Sequence, residues 1–246
     1  MKKITLFLYF VSALSFFSCQ NGSTGQEMIE YPLFAKGENV TDFVSKDGWN
    51  IHLTSAKLIF GPLKLCAHVP TFQYKSGDSL TDCGTVMGES TKAVVFDALN
   101  PEEQQLSMIT GITGQVHSAA YDFGITWISG QGNPTVMDDE LGGMSVLAEG
   151  TATKDASSFD FKFEIAITPH HEGVSTVSGI SAEGNCDSST QKLVIHTDPQ
   201  EWFRYVNFGA LANNEENPVI LKEGTSVYNS FYMGLASGSI IDFEWF

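Results

Sequence analysis

Three histidines and one cysteine carry the sharpest hint of chemistry. In Cys66-Ala67-His68 two potential ligands sit two residues apart, on one side of an extended chain. His170 and His171 follow Pro169 at the end of a strand-like run. Imidazole, with or without thiolate, suits copper or zinc. His68, His170 and His171 are therefore the candidate metal ligands, and copper or zinc the candidate cofactor. Two considerations oppose this. A Cys66 held in a disulfide offers no thiolate, and adjacent histidines in a turn usually face solvent. His52 and His196 lie among polar residues and read as surface groups, whereas His117 reads as half-buried and hydrogen-bonded.

The common catalytic motifs are absent from the chain or incomplete in it. There is no G-x-S-x-G elbow, no phosphate-binding glycine loop, and His171-Glu172 does not extend to H-E-x-x-H. Ser189 and Lys192 fit S-x-x-K. That motif needs a helix to return the lysine to the serine, and here it leads into the strand-like KLVIHT. Asp138, Asp139 and Glu140 cluster in one loop. A glycosidase needs opposed carboxylates about 5 to 10 Å apart, which a single loop does not specify. Nor does the spacing match a calcium loop. These results point away from an enzyme and leave a hydrolase with a dispersed site as the catalytic alternative.

The elements that must position these residues are strands. In SSFDFKFEIAI, Phe159, Phe161, Phe163, Ile165 and Ile167 share one face, with Asp160, Lys162 and Glu164 on the other. VHSAAYDFGITW places Tyr121, Phe123, Ile125 and Trp127 in the same phase. GWNIHLTSAKLIF alternates through Trp49, Ile51 and Leu53 and then slips near Ser55, which predicts a bulge. TKAVVFDAL, SVLAEGTAT, KLVIHT and SIIDFEWF add further strands between Gly- and Asn-rich turns. The expected fold is all-β, an antiparallel β-sandwich of jelly-roll or Ig-like type with one or two short helices. One helix begins at Asp198-Pro199, with Glu201 placed for a capping box and Trp202 and Phe203 packing onto the sheet. A second is expected from Asn100-Pro101 through NPEEQQL.

The four cysteines fit an oxidising compartment. With Cys19 set aside, one bridge and one leftover remain. Cys66–Cys83 is the favoured pair, because Pro70, Gly77 and Asp78 between them let the chain turn back. Such a bridge contributes about 3 kcal/mol in the chain-entropy account. The alternative joins Cys186 to one of the other two.

The first residues carry a targeting signal. Lys2 and Lys3 precede an apolar run from Ile4 to Phe17, shorter than the roughly 20 residues of a membrane span. Ser18-Cys19 then resembles the lipobox of bacterial lipoproteins, with Phe16 and Phe17 departing from its usual Leu and small residues. That resemblance implies cleavage before Cys19 and acylation, palmitate included, of Cys19. Two or three acyl chains would anchor the chain stably. Residues 1–18 are then a signal peptide, 19–27 a Gly/Ser tether and 28–246 a single β-sandwich domain. The expected location is the bacterial cell envelope, lipid-anchored and at the outer membrane.

The net charge of −16 excludes nucleic acid as a phosphate-bound partner and disfavours anionic lipid, so the anchor must hold the membrane. DGWNIHLTSAKLIFGPLKLC, HTDPQEWFRYVNFGAL and SVYNSFYMGLASGSIIDFEWF together resemble a loosely defined group of secreted, often lipidated bacterial β-sandwich proteins. Some of that group carry His-rich insertions suggestive of metal handling, and this chain has none. The reading at this level is a non-enzymatic envelope protein binding a protein or small ligand through its loops. A copper- or zinc-binding protein and an adhesin for host molecules are the alternatives.

Overall fold

The computed structural model describes residues 25–69, 83–128, 130–238 and 240–246. Cys19 and the signal segment lie outside the described residues. Two twisted sheets enclose one buried hydrophobic cluster, as the expected sandwich requires. The larger sheet has eight strands. In spatial order they are β13 (Val177–Cys186), β8 (Gly114–Tyr121), β4 (Leu63–Cys66), β5 (Val86–Ser90), β7 (Gln104–Ile112), β1 (Met28–Gly37), β14 (Leu193–Thr197) and β16 (Asp242–Trp245). All neighbours pair antiparallel except β1 and β14. The sheet curls until its outer strands meet: Trp245 Nε1 on β16 donates to the Ala182 carbonyl on β13 at 3.3 Å.

The smaller sheet runs β15 (Val219–Ile220), β12 (Ser157–Ile165), β11 (Val146–Lys154), β3 (Asn50–Phe60) and β2 (Asp42–Val44), with β6 (Val94–Asp97) beside β2 on the same edge of β3. β9 (Ile125–Thr126) and β10 (Thr135–Val136) form a small separate ribbon. The period-two reading of β12 holds. Phe159, Phe161, Phe163 and Ile165 are buried, while Asp160, Lys162 and Glu164 face outward. The predicted slip in β3 is a bulge: Glu149 pairs with Ser55 and Gly150 with Leu53, leaving Thr54 as the extra residue.

Helix α1 (Pro199–Trp202) forms where Asp198 and Pro199 indicated. Asp198 accepts a hydrogen bond from Gln200 N at 2.8 Å. The capping box does not close, because Glu201 turns to Arg204 instead. The helix expected at Asn100-Pro101 is absent. Asn100 Oδ1 accepts from Glu102 N in a tight turn, and the chain enters β7 at Gln104. Burial of Leu106 and Ile109 between strands outweighs the helix-start signal there. The longer helix is α2 (Ser226–Ala236), capped by Thr225 Oγ1 on Tyr228 N at 3.2 Å. Val227, Phe231, Gly234 and Leu235 form its buried face, at helical spacing. Strand β16 forms within the SIIDFEWF run read as a strand and lies at the edge of the larger sheet.

Candidate functional site

The structure brings the DGW and DPQEWF segments together and shows them to be framework. Asp47 accepts from Gly209 N at 2.9 Å and from Ser45 Oγ at 2.6 Å, and its carbonyl receives the Lys154 ammonium at 2.5 Å. These contacts tie the turn after β2 to the segment following α1. Trp49 is buried edge-on against Phe159 at 5.2 Å. Trp202 is fully buried, and its Nε1 donates to Thr197 Oγ1 at 3.2 Å. Phe203 packs on Phe161, Phe208 and Phe231. Asp47 and the Trp202 indole N–H are engaged in these contacts, and the rings are buried. They hold β2 and α1 a fixed distance apart.

Between β2 and α1 runs an open groove of about 290 Å³. Its floor is aromatic, with the Phe43 and Phe203 rings 5.6 Å apart. Exposed Val44 extends the apolar surface at the edge of the sheet. Lys46 and Arg204 supply two cations in a chain holding 13 Lys and Arg against 29 Asp and Glu. The Arg204 guanidinium is held more firmly cationic by its hydrogen bond to Tyr205 and by the Glu201 carboxylate. Lys46 is exposed and has no ion-pair partner among the described residues. An unpaired ammonium beside aromatic rings can hold an anionic group whose apolar body lies on those rings.

A second groove, of about 340 Å³, lies on the outer face of β11 and β12. Its charges are already used: Lys162 pairs with Glu164 at 2.9 Å and Glu149 at 3.8 Å, and Asp160 accepts from Thr151 Oγ1 and Asn217 Nδ2. A ligand there would have to displace partners. The groove over Phe43 and Phe203 asks for no such exchange at Lys46.

The candidate metal ligands are placed as follows. His68 is exposed just beyond β4, and its carbonyl accepts from Ser118 Oγ at 2.7 Å. His170 and His171 are exposed in the segment joining β12 to β13. That segment leads into Val177, which pairs with Tyr121, as Leu63 at the start of β4 also does. His68 lies past the other end of β4. Cys66 and Cys83 form the disulfide, so Cys66 offers no thiolate. Among the described residues no group of three or more His, Cys, Asp or Glu is arranged to hold a metal ion. Each remaining histidine has a carboxylate partner: His52 with Asp42 at 2.8 Å, His117 with Glu183 at 2.9 Å and His196 with Glu244 at 2.8 Å.

The other chemical candidates are likewise accounted for. Ser189 bonds Asp187 in a turn, and Lys192 pairs with Glu103 and stacks on Phe246, 4.6 Å from its ring centre. Asp138 accepts from Glu140 N, closing its own loop. Cys186 is free among the described residues and buried, hydrogen-bonded to Tyr31 Oη at 3.1 Å. Burial pushes its thiol up, away from the thiolate that would make it reactive. Sequence reasoning passed over Phe43, Lys46 and Arg204. They border the two recognised segments, but single cations and a single Phe have no spacing signature.

No protein-family model matches this chain, and no curated protein matches it. Among solved structures it is similar to MbnP from Methylosinus trichosporium, at 10% identity over 82% of each chain and a TM-score of 0.33. A likeness at that level carries neither a site nor an activity from one chain to the other.

Proposed function

We propose that this chain is a non-enzymatic, lipid-anchored binding protein of the bacterial cell envelope. Its groove between β2 and α1 takes a small ligand with an anionic group on an apolar or aromatic body. The observation that carries the reading is the unpaired Lys46 ammonium at the rim of the Phe43–Phe203 floor. The anchor rests on Ser18-Cys19 after a short apolar run, and the Gly/Ser tether would hold the sandwich off the bilayer. The overall negative charge repels anionic ligands at long range. That repulsion is screened within about 8 Å at physiological ionic strength, so the local cations decide binding.

The aromatic sulfonate 8-anilinonaphthalene-1-sulfonate is a suitable probe. Saturable fluorescence enhancement with a Kd in the region of 1 to 100 µM is expected. Lys46→Glu should weaken it about tenfold and Arg204→Glu by a similar factor, with circular dichroism unchanged. Non-saturable binding, or full affinity in Lys46→Glu, would overturn the assignment. The anchor is checked separately by mass spectrometry of the mature chain for acyl groups on Cys19. A Cys19→Ser variant that is still processed and membrane-bound would sink that part of the reading.

A further inference from the structure

The outer face of β5, β7 and β1 departs from the polar surface that a sheet normally shows to water. Tyr31, Leu33 and Ile109 point into the core, so Met28, Glu30, Pro32, Met108, Thr110 and Ile112 point out. The registers arrange them in rungs. Met28 pairs with Ile112, Glu30 with Thr110 and Pro32 with Met108. On the next strand Glu89 pairs with Thr110, extending the middle rung. Val86 lies near the Met28–Ile112 rung, in a shallow trough of about 250 Å³. Met28 is 74% exposed, Met108 41% and Val86 38%. Two apolar rungs thus flank a rung with a glutamate at each side. Neither the Glu30 nor the Glu89 carboxylate has an ion-pair or hydrogen-bond partner among the described residues, although Lys64 sits opposite Glu89 in the register of β4 and β5 and leaves Glu30 the more open of the two.

Charge decides what such a face can accept. A second copy docked face to face would bring the glutamate rungs together, in a chain already at −16. An anionic lipid surface would be repelled for the same reason. A cationic polypeptide segment is attracted, and flexible methionines adapt to the side chains laid on them. Spacing refines the partner. Met28 and Pro32 are four residues apart on a strand, about 13 Å. On a helix, residues eight apart are separated by about 12 Å. A helix lying along β1 with apolar residues at i and i+8 and a Lys or Arg at i+4 meets all three rungs.

We infer that the outer face of β5, β7 and β1 is a docking surface for a basic amphipathic helix of a partner protein, with Glu30 and Glu89 receiving its cations. This surface is separate from the groove over Phe43 and Phe203 and does not depend on it.

The test uses the full chain and a labelled helical peptide with Leu at i and i+8 and Lys at i+4, followed by fluorescence anisotropy. A second peptide carries Glu in place of Lys. Binding of the Lys peptide at about 1 to 100 µM is expected. It should be at least tenfold weaker for the Glu peptide, for the Glu30→Gln/Glu89→Gln variant, and at about 1 M salt. The Gln variant keeps size and polarity, so it tests charge without reversing it, and Lys46→Glu should leave peptide binding unchanged. Equal binding of both peptides, full affinity in the Gln variant, or a dimer in sedimentation that Met108→Asp dissolves would each overturn the proposal.

Discussion

The two halves of the interior are built on different terms. Under β12, the segment carrying α1 and α2 packs aromatic on aromatic: Phe161, Phe163, Phe203, Phe208 and Phe231 all lie within 6.2 Å of a neighbouring ring. The buried indole N–H of Trp202 donates to Thr197 Oγ1, and buried Ser145 Oγ accepts from Ile167 N close by in the chain. Behind the eight-stranded sheet the interior is mixed. Tyr31 Oη bonds the Cys186 thiol, Ser90 bonds Ser107, and Tyr121 Oη is buried with no hydrogen-bond partner among the described residues. The dry half gains mainly from burial of its rings. The mixed half must satisfy polar groups whose partners come from distant parts of the chain. The dry half should therefore respond to loss of volume and the mixed half to loss or gain of a hydrogen bond.

The largest effect is expected from Phe163→Ala. Phe163 is fully buried and contacts Phe161, Phe203, Phe208 and Phe231. Truncating it leaves a cavity that rigid rings cannot fill, at a cost of about 3–5 kcal/mol, measured by chemical denaturation. A loss below 1 kcal/mol would mean that the cluster collapses freely.

Two glycines set the halves side by side at smaller scale. A Cβ on Gly234 of α2 would lie 2.2 Å from the Trp202 carbonyl oxygen, a backbone atom. One on Gly184 of β13 would lie 2.2 Å from Trp245 Nε1, a side-chain atom near the end of the chain. Backbone cannot swing aside, whereas the Trp245 indole can. Both Ala variants are expected to lose about 1–3 kcal/mol, Gly234→Ala nearer the upper end and Gly184→Ala nearer the lower. The reverse order would show the seam between β13 and β16 to be the more rigid contact.

The same contrast explains what could be read from sequence. The dry half was legible because its signals are local: alternating Phe on β12, and Asp198-Pro199 ahead of Trp202 and Phe203. The disulfide was legible from a turn-forming stretch between two cysteines. What escaped depends on long-range pairing. Cys186 and Tyr31 are 155 residues apart, and nothing near either indicates the other. The Asn100 turn looked like a helix start because an Asx turn and an N-cap begin with the same hydrogen bond. The groove over Phe43 and Phe203 was hidden for the same reason as the Cys186 pair: its two walls meet through Asp47 and Gly209, 162 residues apart.

Tyr121→Phe tests the mixed half directly. A buried hydroxyl without a partner costs about 1–3 kcal/mol of desolvation, so removing it should leave stability unchanged or raise it by about 1 kcal/mol. Burial also pushes the phenol up, with Asp242 acting in the same direction. Retention of Phe60, Phe123 and Phe243 around the ring keeps the packing intact. A loss above 1 kcal/mol would reveal a hydrogen bond made to bound water.

The smallest expected effect is a pH dependence of opposite sign at two aspartates. Burial raises Asp198 above the ordinary value of 3.8, against the hydrogen bond from Gln200 N and with help from Glu38. Its native state holds the proton more tightly than the unfolded chain. Its contribution is therefore greatest below the unfolded pKa and is lost as pH rises through the folded pKa. Asp187 is lowered, first by the Ser189 hydroxyl and then by the Ser189 N–H. Its contribution is present above the unfolded pKa and is lost as pH falls through the folded one. Carboxyl NMR titration should find Asp198 above Asp187. Asp198→Asn keeps the cap and removes the charge, so it should gain slightly at pH 7 relative to pH 3. A variant that instead loses more at pH 7 would mean that the ionised Asp198 stabilises α1 by more than its burial costs, which would reverse the balance of forces at the helix that forms one wall of the groove.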